Sequence, residues 1–220
     1  MINVLNRTNS VFNQYLAEIR DLDTQQDSMR FRKNLERMGE ILAYEISKTL
    51  TFNSRQIETQ LGIADENVLD DYPVLVSLLR AGLPIHQGML NIFDKAQNGF
   101  ITAYRSYEKD DAFQIKLEYI SCPDLENKTL ILTDAMIASG STTELAYRAL
   151  LEKGTPKHTH IVSLIGSKEG INYIRKKLSE QKVTIWLGAL DDELTVKSYI
   201  VPGLGDAGDL AFGRKTSKLH

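Results

Sequence analysis

The 220-residue chain has only one cysteine, Cys122, and no long hydrophobic run. A single cysteine excludes an intramolecular disulfide and a zinc site built from cysteines alone. No segment reaches the roughly 18–20 consecutive apolar residues that span a bilayer. The N-terminal residues also lack the apolar core of a signal peptide. We therefore expect a cytoplasmic protein without a membrane partner.

A strong excess of charge of either sign is also absent. The chain has 26 Lys and Arg residues against 29 Asp and Glu residues, which leaves a formal net charge of −3. This balance argues against a protein that binds nucleic acid through bulk positive charge. The hydrophobic content of 42% is sufficient for a sizeable core. No repeat and no Pro/Gly/Ser-rich linker divides the sequence, so we predict a single domain over residues 1–220.

The hydrophobic pattern predicts two kinds of structure. Residues 1–70 are predicted to be mainly helical, because apolar residues recur at steps of three or four between Phe31 and Leu50. Short apolar runs follow at 73–79, 130–132, 161–165 and 183–187, as in strands that are buried on both faces. Helical patterns after Ser141 and after Ser167 separate these strands, which indicates a parallel sheet. The spacing of Ser141 and Glu144 predicts a capping box at the first of these helices.

Residues 100–120 break this pattern. Apolar and polar residues alternate there on both sides of a polar tip at 108–111, which predicts a β-hairpin. The predicted fold class is therefore α/β, with an open, mainly parallel sheet flanked by helices, a helical N-terminal addition and a β-hairpin arm. The core sheet is expected within 71–190, and 191–220 would form a loop and a C-terminal tail.

The segment from Asp134 to Thr142 is a candidate phosphate site. Ligands of parallel sheets collect beyond the C-terminal ends of the strands. Here a strand ends in an acid and a small, hydroxyl-rich loop that opens a helix, so free amides and hydroxyls could bind an anion. An ordinary capped helix explains the same residues equally well. The loop has no Lys followed by Ser or Thr, which excludes the P-loop of nucleoside triphosphatases.

Two further segments follow predicted strands. Arg80-Ala81-Gly82 could bind a second anion through a bidentate arginine, or could form a strand-to-helix turn with a solvated side chain. The segment from Tyr199 to Asp209 contains the letters Gly-x-Gly-x-x-Gly, but Pro202 and the short remaining chain exclude a dinucleotide-binding unit. Its glycines instead predict a loop whose exposed amides and carbonyls face a small planar ligand.

Taken together, these segments resemble the uracil phosphoribosyltransferase family over most of the chain and in a consistent order. The resemblance implies transfer of the 5-phosphoribosyl group of 5-phospho-α-D-ribose 1-diphosphate (PRPP) to N1 of uracil. The products would be UMP and diphosphate, in pyrimidine salvage. The residues that carry the resemblance are Arg80-Ala81-Gly82-Leu83, Tyr104-Arg105, Asp134 to Thr142, and Tyr199 to Asp209.

The resemblance implies that one group of residues binds PRPP. Asp134 would contact the ribose hydroxyls, and the loop after it would hold the 5′-phosphate. Arg80 and Arg105 would bind the diphosphate, and a non-proline cis peptide bond is expected beside Arg80. The PRPP site implied in this way consists of Arg80, Ala81, Gly82, Arg105, Asp134, Ala138, Ser139, Gly140, Ser141 and Thr142.

The glycine-rich loop would bind uracil. Main-chain groups of Ile200, Gly205 and Ala207 would meet the base, while Asp206 would approach the ribose, the diphosphate or the metal. The implied uracil site is Tyr199, Ile200, Gly205, Asp206 and Ala207, and the implied catalytic residues are Arg80, Arg105, Asp134 and Asp206.

The family resemblance also implies a cofactor and partners. Mg²⁺ would be bound mainly through PRPP and water, without a dedicated set of metal ligands in the chain. A homodimer or a higher homo-oligomer and a GTP effector are expected. Ala135 and Ser141 depart from the family pattern, in which Pro and Gly are common at these positions. They leave two alternatives open, a non-catalytic sensor of UMP or PRPP and a transferase for another base.

Overall fold

The computed structural model describes residues 1–107, 113–178 and 182–215, with the backbone alone for 104–107 and 113–116. The helices are α1 (Val11–Arg20), α2 (Ser28–Ser47), α3 (Leu83–Ile92), α4 (Ser141–Leu150), α5 (Lys168–Lys177) and α6 (Ala207–Phe212). The strands are β1 (Ile2–Val4), β2 (Phe52–Thr59), β3 (Gly62–Leu69), β4 (Val74–Leu79), β5 (Gln97–Tyr107), β6 (Phe113–Ser121), β7 (Thr129–Ile137), β8 (His158–Ser167), β9 (Val183–Asp191), β10 (Glu193–Leu194) and β11 (Ile200–Val201).

Seven strands form one sheet in the order β1-β9-β8-β7-β4-β5-β6. All neighbouring pairs are parallel except β5 and β6. The predicted α/β class with a mainly parallel sheet is therefore confirmed. Residues in β4 alternate between the two faces, since Leu75 joins one hydrophobic cluster while Val74 and Val76 join the other. Helices α1, α2 and α3 cover the first face, and α4 and α5 cover the second.

Helix α2 follows the predicted periodicity. Asp27 caps it, because its Oδ1 accepts hydrogen bonds from the amides of Met29 and Arg30, both at 3.0 Å. The buried stripe is continuous along the helix, and the other face carries charged residues. Near its start, Arg32 Nη1 donates to the carbonyl of Ala211 in α6 at 2.6 Å, so α2 also holds the C-terminal helix. The stripe consists of Phe31, Leu35, Met38, Leu42 and Ile46.

A second hairpin, β2–β3, is an element that the sequence analysis missed. The two strands pair antiparallel from Phe52 to Leu69 and form a sheet of their own. Nearly every residue of the hairpin is exposed, including Ile57, Leu61 and Ile63. Because neither face is buried, the sequence has no hydrophobic alternation that would mark these strands.

The predicted hairpin near 100–120 corresponds to β5 and β6, which pair antiparallel with one register shift between Thr102 and Ala103. Strand β6 is the edge of the main sheet, so the arm continues the sheet. The predicted tip at 108–111 lies outside the described residues. In the part of the chain that the structure describes, no helix is long and apolar enough to cross a membrane.

Candidate active site

Asp134 lies in β7, opposite Ser163 of β8. Its Oδ1 accepts a hydrogen bond from the Met136 amide, and its Oδ2 accepts one from Thr143 Oγ1, each at 3.4 Å. Burial raises the pKa of the Asp134 carboxyl to about 7, because the loss of water outweighs these long hydrogen bonds. The ionised form of Asp134 is therefore less favourable for the stability of the folded protein than the protonated form.

The loop after β7 ends at Gly140, whose φ of 80° is left-handed. The predicted capping box is wrong: Gly140 is the N-cap of α4, and no side chain among the described residues caps this end. Ser141 is the first helical residue, and its hydroxyl lies 2.7 Å from the hydroxyl of Ser139. Glu144 instead pairs with Arg148 on the same helix. The first amides of α4 thus have no side-chain cap among the described residues, and such amides can bind an anion.

The two departures from the family pattern introduce no backbone strain. Ala135 lies inside β7 and is 2% exposed, so its backbone belongs to the strand and not to a loose loop. The left-handed conformation falls on Gly140 and not on Ser141. A Cβ atom on Gly140 would lie 2.6 Å from the Gly170 carbonyl oxygen, which explains the glycine at that position.

Arg80 directly follows β4, after a non-proline cis peptide bond with Leu79, as the resemblance implied. Its Nη2 donates to Asp209 Oδ1 at 3.0 Å, and its Nη1 donates to the Gly213 carbonyl at 3.3 Å. Arg80 is therefore paired within the fold, while about a third of its side chain (36%) stays exposed. Gly82 allows this turn to pack against β7, because a Cβ atom there would lie 2.8 Å from the Thr133 carbonyl oxygen. Arg80 thus links the β4 turn to the C-terminal segment.

The glycine-rich loop follows the short β10–β11 hairpin. Gly203 and Gly205 both have left-handed φ values, 57° and 93°. Asp206 then caps α6, since its Oδ1 accepts a hydrogen bond from the Asp209 amide at 2.9 Å. Tyr199 is half exposed, whereas Ile200 and Ala207 are buried. Ile200, Gly205, Asp206 and Ala207 of this segment line one side of a cavity.

Two adjoining cavities lie where these three segments meet. The first is about 200 Å³ and extends between the Arg80 turn, the Asp134 loop and Lys215. The second is about 180 Å³ and extends between the Asp134 loop and the glycine-rich loop. The segment from Asp134 to Thr142 and the glycine-rich loop therefore converge on one site. The two cavities share Ala81, Asp134, Met136, Ala138, Asp206 and Gly208.

Most of the residues named from the sequence line these cavities. Gly82 and Ser141 line neither one within the described chain; Gly82 packs behind the Arg80 turn, and Ser141 contacts Ser139. Arg105 lies in β5 opposite Ile115, and its side chain is outside the described residues. The residues that line at least one cavity are Arg80, Ala81, Asp134, Ala138, Ser139, Gly140, Thr142, Tyr199, Ile200, Gly205, Asp206 and Ala207.

The sequence analysis missed two polar residues of the site. Thr143 donates to Asp134 from the first turn of α4 and lines the first cavity. Lys215 lines the same cavity from the tail. Its position in a basic stretch near the C-terminus is a signal of charge, but nothing in the sequence places that stretch beside the Asp134 loop.

Comparisons with known proteins identify the family of the chain. The fold is a mainly parallel sheet flanked by helices, and the family comparison identifies it as that of a phosphoribosyltransferase. The family model for uracil phosphoribosyltransferase matches residues 7–214. The chain belongs to the uracil phosphoribosyltransferase family.

Individual relatives show how much of the chain is shared. The chain is 50% identical over 211 residues to the uracil phosphoribosyltransferase of Porphyromonas gingivalis strain W83. The alignment covers 96% of this chain and 97% of the relative. The chain is 39% identical over 203 residues to that of Pyrococcus furiosus, with coverage of 91% and 85%. Among solved structures, the AQ2163 protein from Aquifex aeolicus superposes with a TM-score of 0.86 at 31% identity, covering 97% of this chain and 98% of that one.

Proposed function

We propose that this protein transfers the 5-phosphoribosyl group of PRPP to N1 of uracil, forming UMP and diphosphate. The observation that carries the proposal is the junction of the two cavities, whose common wall contains Asp134 and Asp206. A sugar phosphate in the first cavity and a planar base in the second would meet at these two carboxyl groups. Family membership supplies the identity of the two substrates.

The first cavity suits PRPP. The uncapped start of α4 and the hydroxyls of Ser139 and Thr142 would bind the 5′-phosphate, helped by the helix dipole. The Asp134 carboxylate would accept hydrogen bonds from the ribose hydroxyls. Arg80, with the backbone of Ala81 and Gly82, would bind the diphosphate, and Arg105 would reach the same group from β5.

Charge separation explains why such groups suffice for the reaction. Displacement at the anomeric carbon develops positive charge on the ribose and negative charge on the departing diphosphate. Prearranged amides and guanidinium groups stabilise the leaving group without a covalent intermediate. The chain's contribution is therefore to bind and align the two substrates and to hold charge at fixed positions.

We expect Mg²⁺ to enter this site coordinated mainly by PRPP. Among the described residues, no three His, Cys, Asp or Glu side chains converge as a metal centre. Asp206 lines both cavities and would add a carboxylate oxygen to a coordination shell supplied mainly by diphosphate oxygens and water. When bound, the ion would neutralise charge on the leaving group.

The second cavity suits uracil because the glycine-rich loop lines it with several small residues, which leave room for main-chain groups to meet a planar base. Tyr199, Ile200, Gly205, Asp206 and Ala207 line it. Uracil presents two carbonyl acceptors and an N3 donor, whereas cytosine reverses part of this pattern. A fixed backbone cannot adapt to the reversed pattern, so each unpaired group would cost about 1–3 kcal/mol.

The alternative of a non-catalytic sensor was based on the departures from the family pattern at Ala135 and Ser141. These two residues cause no backbone strain, so they give no reason to expect a loss of catalysis. A sensor would be detected as UMP-induced thermal stabilisation without turnover. Transfer to another base is tested by offering a panel of nucleobases to the same enzyme.

We also propose a homodimer or a higher homo-oligomer. The β2–β3 hairpin exposes apolar side chains, with Leu61 fully exposed and Ile63 72% exposed. A two-stranded hairpin without a covered face is marginally stable in water, so a second copy of the chain would stabilise it. The family resemblance is the ground for proposing a GTP effector and a cytoplasmic location.

The test of the proposed function is UMP formation from uracil, PRPP and Mg²⁺, measured for the wild type and for Gly205→Ala. No described atom lies within 4 Å of a Cβ atom on Gly205, so the fold accommodates the methyl group at the cost of its positive φ, about 1–2 kcal/mol. Gly205 lines the base cavity, so we expect the added methyl group to reduce the room for the base. We expect UMP from the wild type and an increase of about tenfold or more in the KM for uracil in the variant.

Gly62→Ala, in the remote β2–β3 turn where a Cβ atom also has open space, is the matched control and should keep the wild-type KM. Absence of UMP from the wild type across pH and divalent cations would contradict the proposed function. An unchanged KM for uracil in Gly205→Ala would place the base elsewhere.

A further inference from the structure

One ion pair holds both polar backbone groups of a residue in the glycine-rich loop. Arg20, the last residue of α1, forms a two-pronged pair with Asp191, the last residue of β9, at 2.7 and 2.8 Å. Asp191 Oδ2 also accepts the amide hydrogen of Gly203, at 2.9 Å. Arg20 Nη1 also donates to the Gly203 carbonyl, at 2.8 Å. We call Arg20, Asp191 and Gly203 the loop clamp.

The loop clamp is shielded from water. Asp191 is 6% exposed and Arg20 22%, so both charges have lost most of their hydration. A buried ion pair of this kind adds little net stability, because desolvation offsets the attraction between the charges. Its planar, bidentate geometry does restrict where the two groups can lie. The clamp is therefore better suited to fixing a position than to stabilising the fold.

Gly203, the residue that the loop clamp holds, lies at a tight turn of the glycine-rich loop. Gly203 has a φ of 57°, and a Cβ atom there would overlap the Ile200 carbonyl oxygen, so the chain turns tightly at this residue. Ile200, three residues before it, and Gly205, two residues after it, both line the base cavity. A displacement of Gly203 would move both of them.

A second contact secures the next residue. With its amide oriented to satisfy the neighbouring carbonyls, Gln25 donates to the Leu204 carbonyl at 2.9 Å and to the Ile19 carbonyl at 3.1 Å. Gln25 is buried, in the turn that follows α1. The end of α1 and the turn after it thus hold two consecutive residues of the loop.

We propose that the Arg20–Asp191 pair is a positioning device for the base site: it sets the course of the backbone from Ile200 to Gly205, and with it the fit of uracil. The inference rests on the proposed function, which assigns uracil to this cavity. Neither side chain lines the cavity or touches the reacting atoms, so both are positioning residues and not catalytic residues.

The test compares Arg20→Lys and Asp191→Asn with the wild type in steady-state kinetics. Lysine keeps the positive charge but loses the two-pronged geometry, and asparagine keeps the shape but loses the charge. We expect the KM for uracil to rise about tenfold or more, because small misplacements of a binding wall are costly, while the KM for PRPP changes less than about twofold. If the Arg20–Asp191 pair only stabilised the fold, the variants would contain a smaller fraction of folded, active enzyme. Both KM values would then be unchanged.

The control is Arg30→Lys. Arg30 forms a two-pronged pair with Glu18 at 2.9 and 2.9 Å, and Glu18 lies on α1 two residues before Arg20. This pair joins α1 to α2 and does not contact the glycine-rich loop. Its loss should leave the KM for uracil at the wild-type value. An equal rise in this control would show that loosening α1 is enough, and would overturn the proposal.

Hydrogen–deuterium exchange of the peptide covering 200–206 supplies a readout that does not depend on activity. We expect faster exchange at the Gly203 amide in Asp191→Asn and unchanged exchange in the Arg30→Lys control. Faster exchange with an unchanged KM for uracil would overturn the proposal, and so would unchanged exchange in both clamp variants. Failure of the wild type to form UMP would instead contradict the proposed function; the clamp is then judged by exchange and by calorimetric binding of UMP.

Discussion

Asp134→Asn should stabilise the ligand-free protein at alkaline pH. Burial raises the pKa of this carboxyl from its ordinary 3.8 to about 7, so the folded protein binds the proton more tightly than the unfolded chain does. The contribution of Asp134 to stability is therefore most favourable below pH 4. It declines as the pH rises from about 4 to about 7 and is constant above that.

The magnitude follows from the same shift. Each pKa unit corresponds to about 1.4 kcal/mol, so the ceiling is about 4 kcal/mol at pH 8. Asp134 is partly exposed, and water reaching the cavity lowers the expected gain to about 2–3 kcal/mol. Asparagine is isosteric: its Oδ1 can still accept from the Met136 amide, and the rotatable Thr143 hydroxyl can accept from its Nδ2.

The assay is urea unfolding of both proteins at pH 8 and at pH 4.5, without ligands. We expect Asp134→Asn to exceed the wild type by about 2–3 kcal/mol at pH 8, and by only about 1 kcal/mol at pH 4.5. The variant should also lose UMP formation, because the ribose hydroxyls lose their ionised acceptor. A variant that is less stable than the wild type at pH 8, or a gain that does not depend on pH, would refute the reasoning.

Two further predictions concern the first cavity. Lys215→Ala should raise the KM for PRPP about fivefold and leave that for uracil unchanged, because Lys215 lines the donor cavity and its positive charge would attract the anionic donor. Initial-rate kinetics measure this. The control is Arg214→Ala, which removes a neighbouring positive charge that does not line this cavity among the described residues, and equal effects in both variants would contradict the prediction. Gly140→Ala should destabilise the fold by about 2–4 kcal/mol in urea unfolding, because it combines a positive φ with a Cβ contact of 2.6 Å, and a loss below about 1 kcal/mol would contradict the packing described.

The helices and strands that pack against the core were predictable because their buried residues follow a regular pattern in the sequence. The stripe of α2 and the apolar runs of β4, β7, β8 and β9 repeat at the period of their own element, because each packs against the same core. The strands of β2–β3 are exposed on both faces, and they leave no such period in the sequence. The very short β1 pairs with the distant β9, a contact that no local pattern encodes.

Part of the candidate site was likewise predictable from the sequence, and part of it was not. Asp134 and Arg80 were recognisable because their residue types suit anion binding sites and each lies near the end of a predicted strand, and the glycine-rich loop was recognisable because its glycines allow close backbone approach. Whether α4 is capped depends on the conformation of Gly140, for which the spacing of Ser141 and Glu144 was misleading. Asp191 looks like part of a solvated acidic turn until Arg20, 171 residues away in sequence, is brought against it.

A crystal structure of the protein with UMP tests the central claim most directly. The account predicts the phosphate on the amides at the start of α4 and the ribose beside Asp134, with the uracil ring against the backbone between Ile200 and Ala207. UMP bound away from either loop, or lying in the reverse direction with its base at α4, would contradict it.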